Sequence, residues 1–320
     1  MKVCKTYPWV ILALTCAALH AQTLVLQGTN WEWRGTSMSD IKGEWNPPPS
    51  NYWTEVAGLP VIRYYHAAAT IGTNIYAMGG QGGGTGTNVY KYDGSTWEEV
   101  AGLPVEPPEG VLYLSAAATI GTDMYVIGGY DSWADETTTN VYKFDGSTWT
   151  EVAGLPAARV SLAAATIGTN MYAIGGAEES GFTATNKVYK FDGSTWTEVA
   201  GLPAPREELA AATIGTNIYA IGGSYYGVAK TNVYKFDGSV WTEVAGLPVA
   251  RSLLAAATIG ANIYAIGGSN STNVYRFDGS IWTEMAGLPA ARDQLAAATI
   301  GANAYAIGGS NSTNVYKYTP

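Results

Sequence analysis

Six near-identical copies of one phrase constrain the fold of this chain more than any other feature. Each copy resembles WTEVAGLP, and the copies open at Trp53, Trp97, Trp149, Trp196, Trp241 and Trp282. Successive tryptophans lie 44, 52, 47, 45 and 41 residues apart. Self-similarity at such a period is typical of repeat architectures, in which each repeat is one supersecondary unit.

Each repeat reads as four short β-strands. We call them A (AAATI), B (IYAIGG), C (NVYKF) and D (WTEVA), and turn residues separate them. The Asp-Gly-Ser between C and D is a strong hairpin signal, and no stretch carries a helical period. A four-stranded antiparallel unit repeated six times predicts an all-β, six-bladed β-propeller. The alanines of A suit a crowded centre, and we expect the six tryptophans to be buried core between blades.

The order of the strands predicts how the ring closes. The first D strand, at Trp53, precedes every A-B-C set, whereas the last set, ending near Tyr318, has no D strand after it. If residues 53–56 pair with the last C strand, no blade is left incomplete. We therefore expect an N-terminal strand to close the last blade.

The pattern resembles the kelch-repeat family. The hallmark is a double glycine after an apolar strand, followed by a spaced tyrosine and tryptophan, here Gly79-Gly80, Tyr90 and Trp97. The resemblance covers about residues 51–320 and implies a six-bladed kelch propeller. It implies little about function, because one propeller fold hosts many activities.

Residues 1–21 have the form of a secretory signal peptide. Lys2 and Lys5 precede a short apolar run at 9–19, and Ala21 offers a small residue for cleavage. A lipoprotein signal at Cys16 is the alternative that we disfavour. We expect a secreted or periplasmic protein, with residues 22–50 as an extension and 51–320 as the propeller. The extension is either a linker, which we favour, or a lid over one face.

Charge narrows the range of partners. Removing residues 1–21 takes away two lysines and no acid, so the net charge falls from −9 to −11. An acidic surface argues against nucleic acid and against anionic lipid. Past the signal we expect no membrane span, and we expect a monomer.

The B-C loops are the most variable parts of the repeats, whereas the A-B and C-D turns are nearly constant. Variation confined to one set of loops points to the working surface, although drift in unconstrained loops gives the same pattern. In kelch proteins the D-A and B-C connections share one face, by resemblance. The candidate ligand-binding residues on this face, from the loops of blades two to four and one D-A connection, are Tyr130, Asp131, Trp133, Asp135, Glu178, Glu179, Phe182, Tyr225, Tyr226, Arg206 and Glu208.

The D-A connections carry a repeated arginine, for which we favour a structural role over carboxylate binding. It occurs as Arg63, Arg159, Arg206, Arg251 and Arg292, and the second copy breaks the pattern. The residues that follow differ between blades: Tyr64-Tyr65-His66, Val160-Ser161, Glu207-Glu208, Ser252 and Asp293-Gln294. These are better candidates for ligand contacts than the arginines.

The residue inventory excludes several enzyme classes. Beyond residue 21 the chain has one histidine, His66, and no cysteine. A zinc site, a Ser-His-Asp triad and the kelch copper oxidase chemistry therefore lack their residues. No metal or organic cofactor is implied.

One enzyme class stays open as the alternative, the sialic acid mutarotases (N-acetylneuraminate epimerases), which this chain resembles more distantly. The candidates for that chemistry are Arg206 for the sugar carboxylate and Glu207 or Glu208 for proton transfer. Our main interpretation is a binding module that recognises a carbohydrate or an extracellular protein on the D-A/B-C face.

Overall fold

The computed structural model describes residues 51–83, 86–105, 110–178 and 183–320, together with the paired strands Glu32–Trp33 and Ile41–Lys42. The chain divides into two compact units, Met1–Ser50 and Asn51–Pro320. The predicted signal peptide lies outside the described residues, as does most of the predicted extension. The second unit is all β.

The second unit contains six four-stranded antiparallel sheets, each in the order A-B-C-D. The strands of blades one to three are Ala67–Ile71, Asn74–Met78, Val89–Tyr92, Trp97–Val100; Ala116–Ile120, Asp123–Ile127, Val141–Phe144, Trp149–Val152; and Ala163–Ile167, Asn170–Ile174, Val188–Phe191, Trp196–Val199. Those of blades four to six are Ala210–Ile214, Asn217–Ile221, Val233–Phe236, Trp241–Val244; Ala255–Ile259, Asn262–Ile266, Val274–Phe277, Trp282–Met285; and Ala296–Ile300, Asn303–Ile307, Val315–Thr319, with Tyr52–Val56 as the D strand.

The closing strand lies where the sequence predicts it. Tyr52–Val56 pairs antiparallel with Val315–Thr319, and Trp53 lies opposite Tyr318. At the centre, the Thr70 hydroxyl of blade one donates to the Thr299 carbonyl of blade six at 3.1 Å. Blades one and six are therefore neighbours, and the six blades form the predicted propeller.

Threonine hydrogen bonds join five of the six neighbouring pairs of inner strands. The A-strand threonine of a blade donates its hydroxyl to the backbone carbonyl of the equivalent threonine in the preceding blade, at 3.1 Å. The donors are Thr70, Thr119, Thr213, Thr258 and Thr299. Thr166, in blade three, has no partner for its hydroxyl. The alanine-rich A strands allow the blades to approach this closely.

The tryptophans tie each outer strand to the preceding blade, but they are less buried than we expected. Each indole N–H donates to an alanine carbonyl just past the preceding D strand, at 2.8–2.9 Å. Only Trp241 is buried, at 9% exposure, and the other five are half-buried. Because D is the outermost strand, an indole there packs on the C-strand ring and leaves its far side in solvent.

The double glycine exists because the next blade passes over it. A Cβ on Gly222 would lie 2.6 Å from the Arg251 carbonyl oxygen of blade five. The N–H of Gly223 donates to that same carbonyl at 2.8 Å. The equivalent contact recurs between every pair of adjacent blades. Each glycine pair therefore holds the following D-A connection in place.

The D-A connections and the B-C loops lie on one face of the propeller. They pair with each other through short strands and isolated bridges. In blade one Arg63–Tyr64 pairs with Gln81–Gly82, and in blade two Leu112–Tyr113 pairs with Tyr130–Asp131, which also pairs with Glu136–Thr137. In blades three and four the B-C loop forms its own hairpin, Ala177–Glu178 with Thr183–Ala184 and Ser224–Tyr225 with Val228–Ala229, and isolated bridges join it to the D-A connection at Val160–Ala177 and Glu207–Ser224. The pairing fixes the two sets of loops as one surface.

Candidate ligand-binding site

A closed circle of backbone hydrogen bonds links the six blades where the D-A connections enter the A strands. In each blade one residue donates its N–H to the carbonyl of the equivalent residue in the preceding blade, at 2.9–3.0 Å. We call these six residues the mouth ring: Tyr65, Leu114, Ser161, Glu208, Leu253 and Gln294.

All six mouth-ring residues have a left-handed backbone, with φ between 53° and 57°. That conformation costs a non-glycine residue free energy, so the surrounding structure must enforce it. Six residues of five different types share it, so it is the inter-blade hydrogen bonds that set the backbone. The side chains are left free to differ from blade to blade.

The residue before each ring member forms a second circle, which we call the outer mouth positions. These are Tyr64, Tyr113, Val160, Glu207, Ser252 and Asp293. In each blade its backbone is hydrogen-bonded to the first residue of the B-C loop, as Glu207 is to Ser224 at 2.7 Å and 3.1 Å. The mouth is therefore built from D-A residues and framed by B-C loops.

Blades one and two give the mouth an aromatic side, which we call the tyrosine shelf: Tyr64, Tyr65, Tyr113 and Tyr130. Their ring centroids follow one another at 5.6 Å, 6.5 Å and 5.3 Å. The Tyr130 hydroxyl donates to the carboxylate of Asp135, which raises the pKa of Tyr130 to about 12. All four side chains are half-buried, so each ring keeps part of its surface open.

Blades four and six give the mouth an acidic side. Glu208 lies three blades from Tyr65 and therefore across the ring from it; its carboxylate accepts a hydrogen bond from the Ser224 hydroxyl at 2.9 Å. Burial raises the pKa of Glu207, and the neighbouring Glu208 carboxylate raises it further. Burial also raises the pKa of Tyr65, with smaller contributions from Glu208 and Asp293. None of the twelve residues of the two circles is basic, so the mouth is electronegative.

The repeated arginines lie beneath this surface and not on it. All five are 0–3% exposed, and each guanidinium lies over the C-strand tyrosine of its own blade, 4.7–5.6 Å from the ring centroid. Arg159, for example, donates to the carbonyls of Gly175 and Lys187. In blade two Leu112 occupies the arginine position and is equally buried.

Arg206 does not join Glu207 or Glu208, the pairing on which the mutarotase alternative depends. Its Nη2 donates to the Asn232 side chain at 2.9 Å and to the Tyr234 hydroxyl at 3.2 Å. In the described parts of the chain no ion pair links Arg206 to either glutamate. Arg206 therefore has no open face towards the mouth.

The candidates on the B-C loops fall into separate groups. In blade two the Asp131 carboxylate accepts the N–H groups of Trp133 and Ala134, which leaves Trp133 66% exposed. In blade four Tyr225 and Tyr226 contact each other with centroids 4.3 Å apart, and Tyr226 is 77% exposed.

Blade three lies between these two loops. Its Glu178 carboxylate is 3.4 Å from Arg159 Nη2, whereas Glu179 and Phe182 lie outside the described residues. Within the described ranges no ring contact joins the aromatics of blade two to those of blade four. Of the candidates, Tyr130 belongs to the tyrosine shelf, Asp135 accepts its hydrogen bond, and Glu208 lies in the mouth ring.

Sequence reasoning missed Tyr113, Leu114 and Leu253. The broken arginine pattern concealed the first two, and an apolar residue such as Leu253 does not suggest a ligand contact. Their spacing was available as a signal: each ring member lies two residues before its alanine-rich A strand.

His66 is a structural anomaly next to the mouth. It is 6% exposed, burial lowers its pKa to about 3, and neither ring nitrogen has a partner. Blades three to six have leucine at this position. His66 packs at the start of the A strand and, unlike Tyr64 and Tyr65, contributes no surface to the mouth.

Among the described residues, no group of three His, Cys, Asp or Glu side chains could hold a metal ion. No helix in the same part of the chain is long and apolar enough to cross a membrane.

The six-bladed ring, with its docked glycine pairs, is the architecture of a kelch propeller. The model of the KLHDC2/KLHL20/DRC7 kelch-repeats domain matches residues 66–268, well over half of the chain. The chain therefore belongs to the kelch-repeat family. The solved structure of YjhT is similar with a TM-score of 0.69, covering 81% of this chain and 94% of that one at 16% identity. At that identity the likeness shows the fold alone. No curated protein matches the chain in sequence.

Proposed function

We propose that this kelch propeller is a binding module whose ligand is a carbohydrate held at the mouth. One observation carries the proposal: six positions share one backbone conformation and one hydrogen-bond pattern, yet they present six side chains from five residue types. Where the fold does not use a side chain, its identity is free to serve binding.

The composition of the mouth favours a sugar. The tyrosine shelf offers flat, partly apolar faces against which the C–H face of a pyranose packs, and tyrosine adds a polar tip. Beside it, Ser161, Glu208 and Gln294 supply donors and acceptors for hydroxyl groups. A mostly apolar surface with a few placed polar groups is the usual form of a small-molecule site.

A dense glycan array tests this proposal. The purified protein should bind a restricted set of glycans, and Tyr113→Ala should abolish that binding without changing the thermal unfolding midpoint. A second variant, Trp133→Ala with Tyr226→Ala, shows whether the outer B-C loops extend the site. Binding that both variants leave intact would place the ligand elsewhere, and a blank array would refute the carbohydrate proposal, because multivalent display makes weak sites detectable.

The sialic acid mutarotase alternative makes a different demand. It needs a cation for the sugar carboxylate, and the arginine nearest the candidate acids, Arg206, is 3% exposed and hydrogen-bonded within blade four. Sialosides on the same array discriminate the two functions. A selective sialoside signal that Arg206→Lys removes, followed by anomer exchange in an NMR assay, would favour the mutarotase.

We also propose that the protein is exported, on the strength of the sequence of residues 1–21. Expression of the full chain with its own N-terminus should give a periplasmic or secreted product that begins at Gln22. N-terminal sequencing of that product is the test; an intact Met1, or a lipid-modified Cys16, would contradict it.

A further inference from the structure

The tyrosine shelf lies across the mouth ring from carboxylates, and both kinds of group favour a positively charged ligand. Tyr65 in blade one and Glu208 in blade four lie on opposite sides of the same backbone circle. Aromatic faces attract cations through the ring quadrupole, and carboxylates attract them directly. An anion meets repulsion from both sides of this mouth.

Among the described residues no cation pairs with the acids at the mouth. Glu208 accepts one neutral hydrogen bond, from Ser224, and Asp293 accepts one from Ser310 at 3.0 Å. In the described residues the ion pairs are Lys91–Glu98, Lys143–Asp123 and Arg159–Glu178, and none includes a residue of the mouth. Glu207 and Glu208 are adjacent and half-buried, and burial together with the neighbouring Glu208 carboxylate raises the pKa of Glu207. A bound cation would relieve that repulsion.

The arginines of the same connections show how this fold treats a cation next to a tyrosine. All five guanidinium groups lie over C-strand tyrosines inside the blades, so each of these tyrosine rings is paired with a cation. Among the described residues no guanidinium lies over Tyr64, Tyr65 or Tyr113. Their open faces and the opposing carboxylates form the same kind of environment, left without its cation at the protein surface.

We propose that the ligand of the mouth is an amino sugar with a free, protonated amine: the sugar ring packs on the tyrosine shelf and the ammonium group lies against Glu208. The proposal rests on the carbohydrate-binding function proposed above. The neutral polar side chains of Ser161, Ser252 and Gln294 favour a sugar over a basic peptide, because they suit closely spaced hydroxyl groups.

A matched pair of ligands isolates the amine. A β-1,4-linked glucosamine tetramer and its fully N-acetylated counterpart have the same ring and linkage but differ in charge. Calorimetric titration of the full chain should show the glucosamine tetramer binding at least tenfold more tightly, since a charge-assisted hydrogen bond contributes about 1.5–3 kcal/mol, or roughly tenfold or more in Kd. The difference should shrink as salt is raised.

Glu208→Gln should remove most of that preference. Glu198→Gln is the control: it removes the same charge from an exposed position on the D strand of blade three and should leave both affinities unchanged. Thermal unfolding of both variants checks that the fold is retained. If the two substitutions had equal effects, the preference would come from the net charge of the protein and not from Glu208, and the proposed site would be wrong.

The remaining outcomes separate the two proposals. Equal affinity for both tetramers, lost in Tyr113→Ala, would overturn the amine and leave the carbohydrate function standing. Glu208-dependent binding of an oligolysine peptide with no binding of either tetramer would overturn the sugar. Stabilisation by calcium chloride alone, lost in Glu208→Gln, would replace the organic cation by a metal. No binding of any probe, with a blank array, would refute both proposals.

Discussion

The two faces of the propeller use their side chains in opposite ways. On the C-D face, five turns carry the same aspartate, whose carboxylate accepts the N–H groups two and three residues later at 2.8–2.9 Å. Those bonds lower the pKa of Asp93 to about 2. On the mouth face the backbone carbonyls and N–H groups bond one another, and the side chains of the mouth ring differ in every adjacent blade.

In a nearly perfect repeat, this contrast indicates which positions are available for function. Where a side chain completes the backbone hydrogen bonding, substitution is costly and the repeats agree. Where the backbone is satisfied by the next blade, the side chain is free. The arginines and the mouth ring show this within one connection: Arg251 is buried and repeated, whereas Leu253, two residues on, differs from its neighbours.

Removal of the closing strand has the largest expected effect. A chain lacking residues 1–57 loses the five-residue ladder with Val315–Thr319 and the Trp53 hydrogen bond to blade five. We expect it to lose the cooperative thermal transition seen by circular dichroism. A chain lacking residues 1–50 keeps the strand and should unfold like the full chain; equal melting of both truncations would contradict this closure.

The glycine pair offers a second test, with a control of almost identical backbone. Gly222 and Gly215 have φ of 59° and 60°, but only Gly222 would place a Cβ 2.6 Å from a backbone carbonyl, whereas nothing lies within 4 Å at Gly215. Gly215→Ala should cost about 1 kcal/mol from backbone strain, and Gly222→Ala about 2–3 kcal/mol more from the clash. Urea unfolding measures both; similar losses would mean that the blades can move apart.

His66→Leu should stabilise the propeller by about 1–3 kcal/mol at pH 7, because it removes two buried ring nitrogens that lack partners. The folded pKa of about 3 lies below the ordinary 6.5, so the unfolded chain binds the proton more readily. His66 therefore causes no loss of stability above pH 6.5, whereas the free energy of unfolding of the wild type falls as the pH drops from there towards about 3. At pH 5 the loss amounts to about 2 kcal/mol.

The control for His66 is Ser115→Leu at the equivalent position of blade two, where the serine hydroxyl is also buried without a partner. It should stabilise the protein by a similar route but leave the pH dependence unchanged. Denaturant unfolding at pH 7 and pH 5 distinguishes the two variants. A pH dependence that His66→Leu retains would assign it to other groups.

Gln294→Ala should have the smallest effect, within about 0.5 kcal/mol of wild type, as for surface positions outside special features. Its backbone conformation is held by hydrogen bonds to Leu253 and Tyr65, which the substitution keeps. A loss above 1 kcal/mol in urea unfolding would show that the fold does use the mouth side chains, and the contrast between the two faces would fail.

The sequence was sufficient for the architecture because each turn and strand carries its own local signal, repeated six times. It was also sufficient for the closure, because one D strand precedes the first A-B-C set and no D strand follows the last set. The sequence predicted the residues of the mouth only in part. Ser161, Glu208 and Gln294 stood out next to the arginines, but the circle that unites them with Leu114 and Leu253 is made of contacts between blades, which no local pattern shows. The burial of Arg206 likewise depends on tertiary packing.

The most direct test of the account is a comparison of ligand binding after one substitution on each face. Tyr65→Ala removes a ring from the shelf, and Ile281→Ala removes an apolar side chain, 61% exposed, from the C-D turn of blade five. With the glycan that the array identifies, calorimetry should show Tyr65→Ala weakening binding about tenfold or more, since loss of a packed aromatic anchor costs at least about 1.4 kcal/mol. Ile281→Ala should leave the Kd unchanged. Weakening by Ile281→Ala, or full affinity in Tyr65→Ala, would place the binding surface elsewhere than at the mouth.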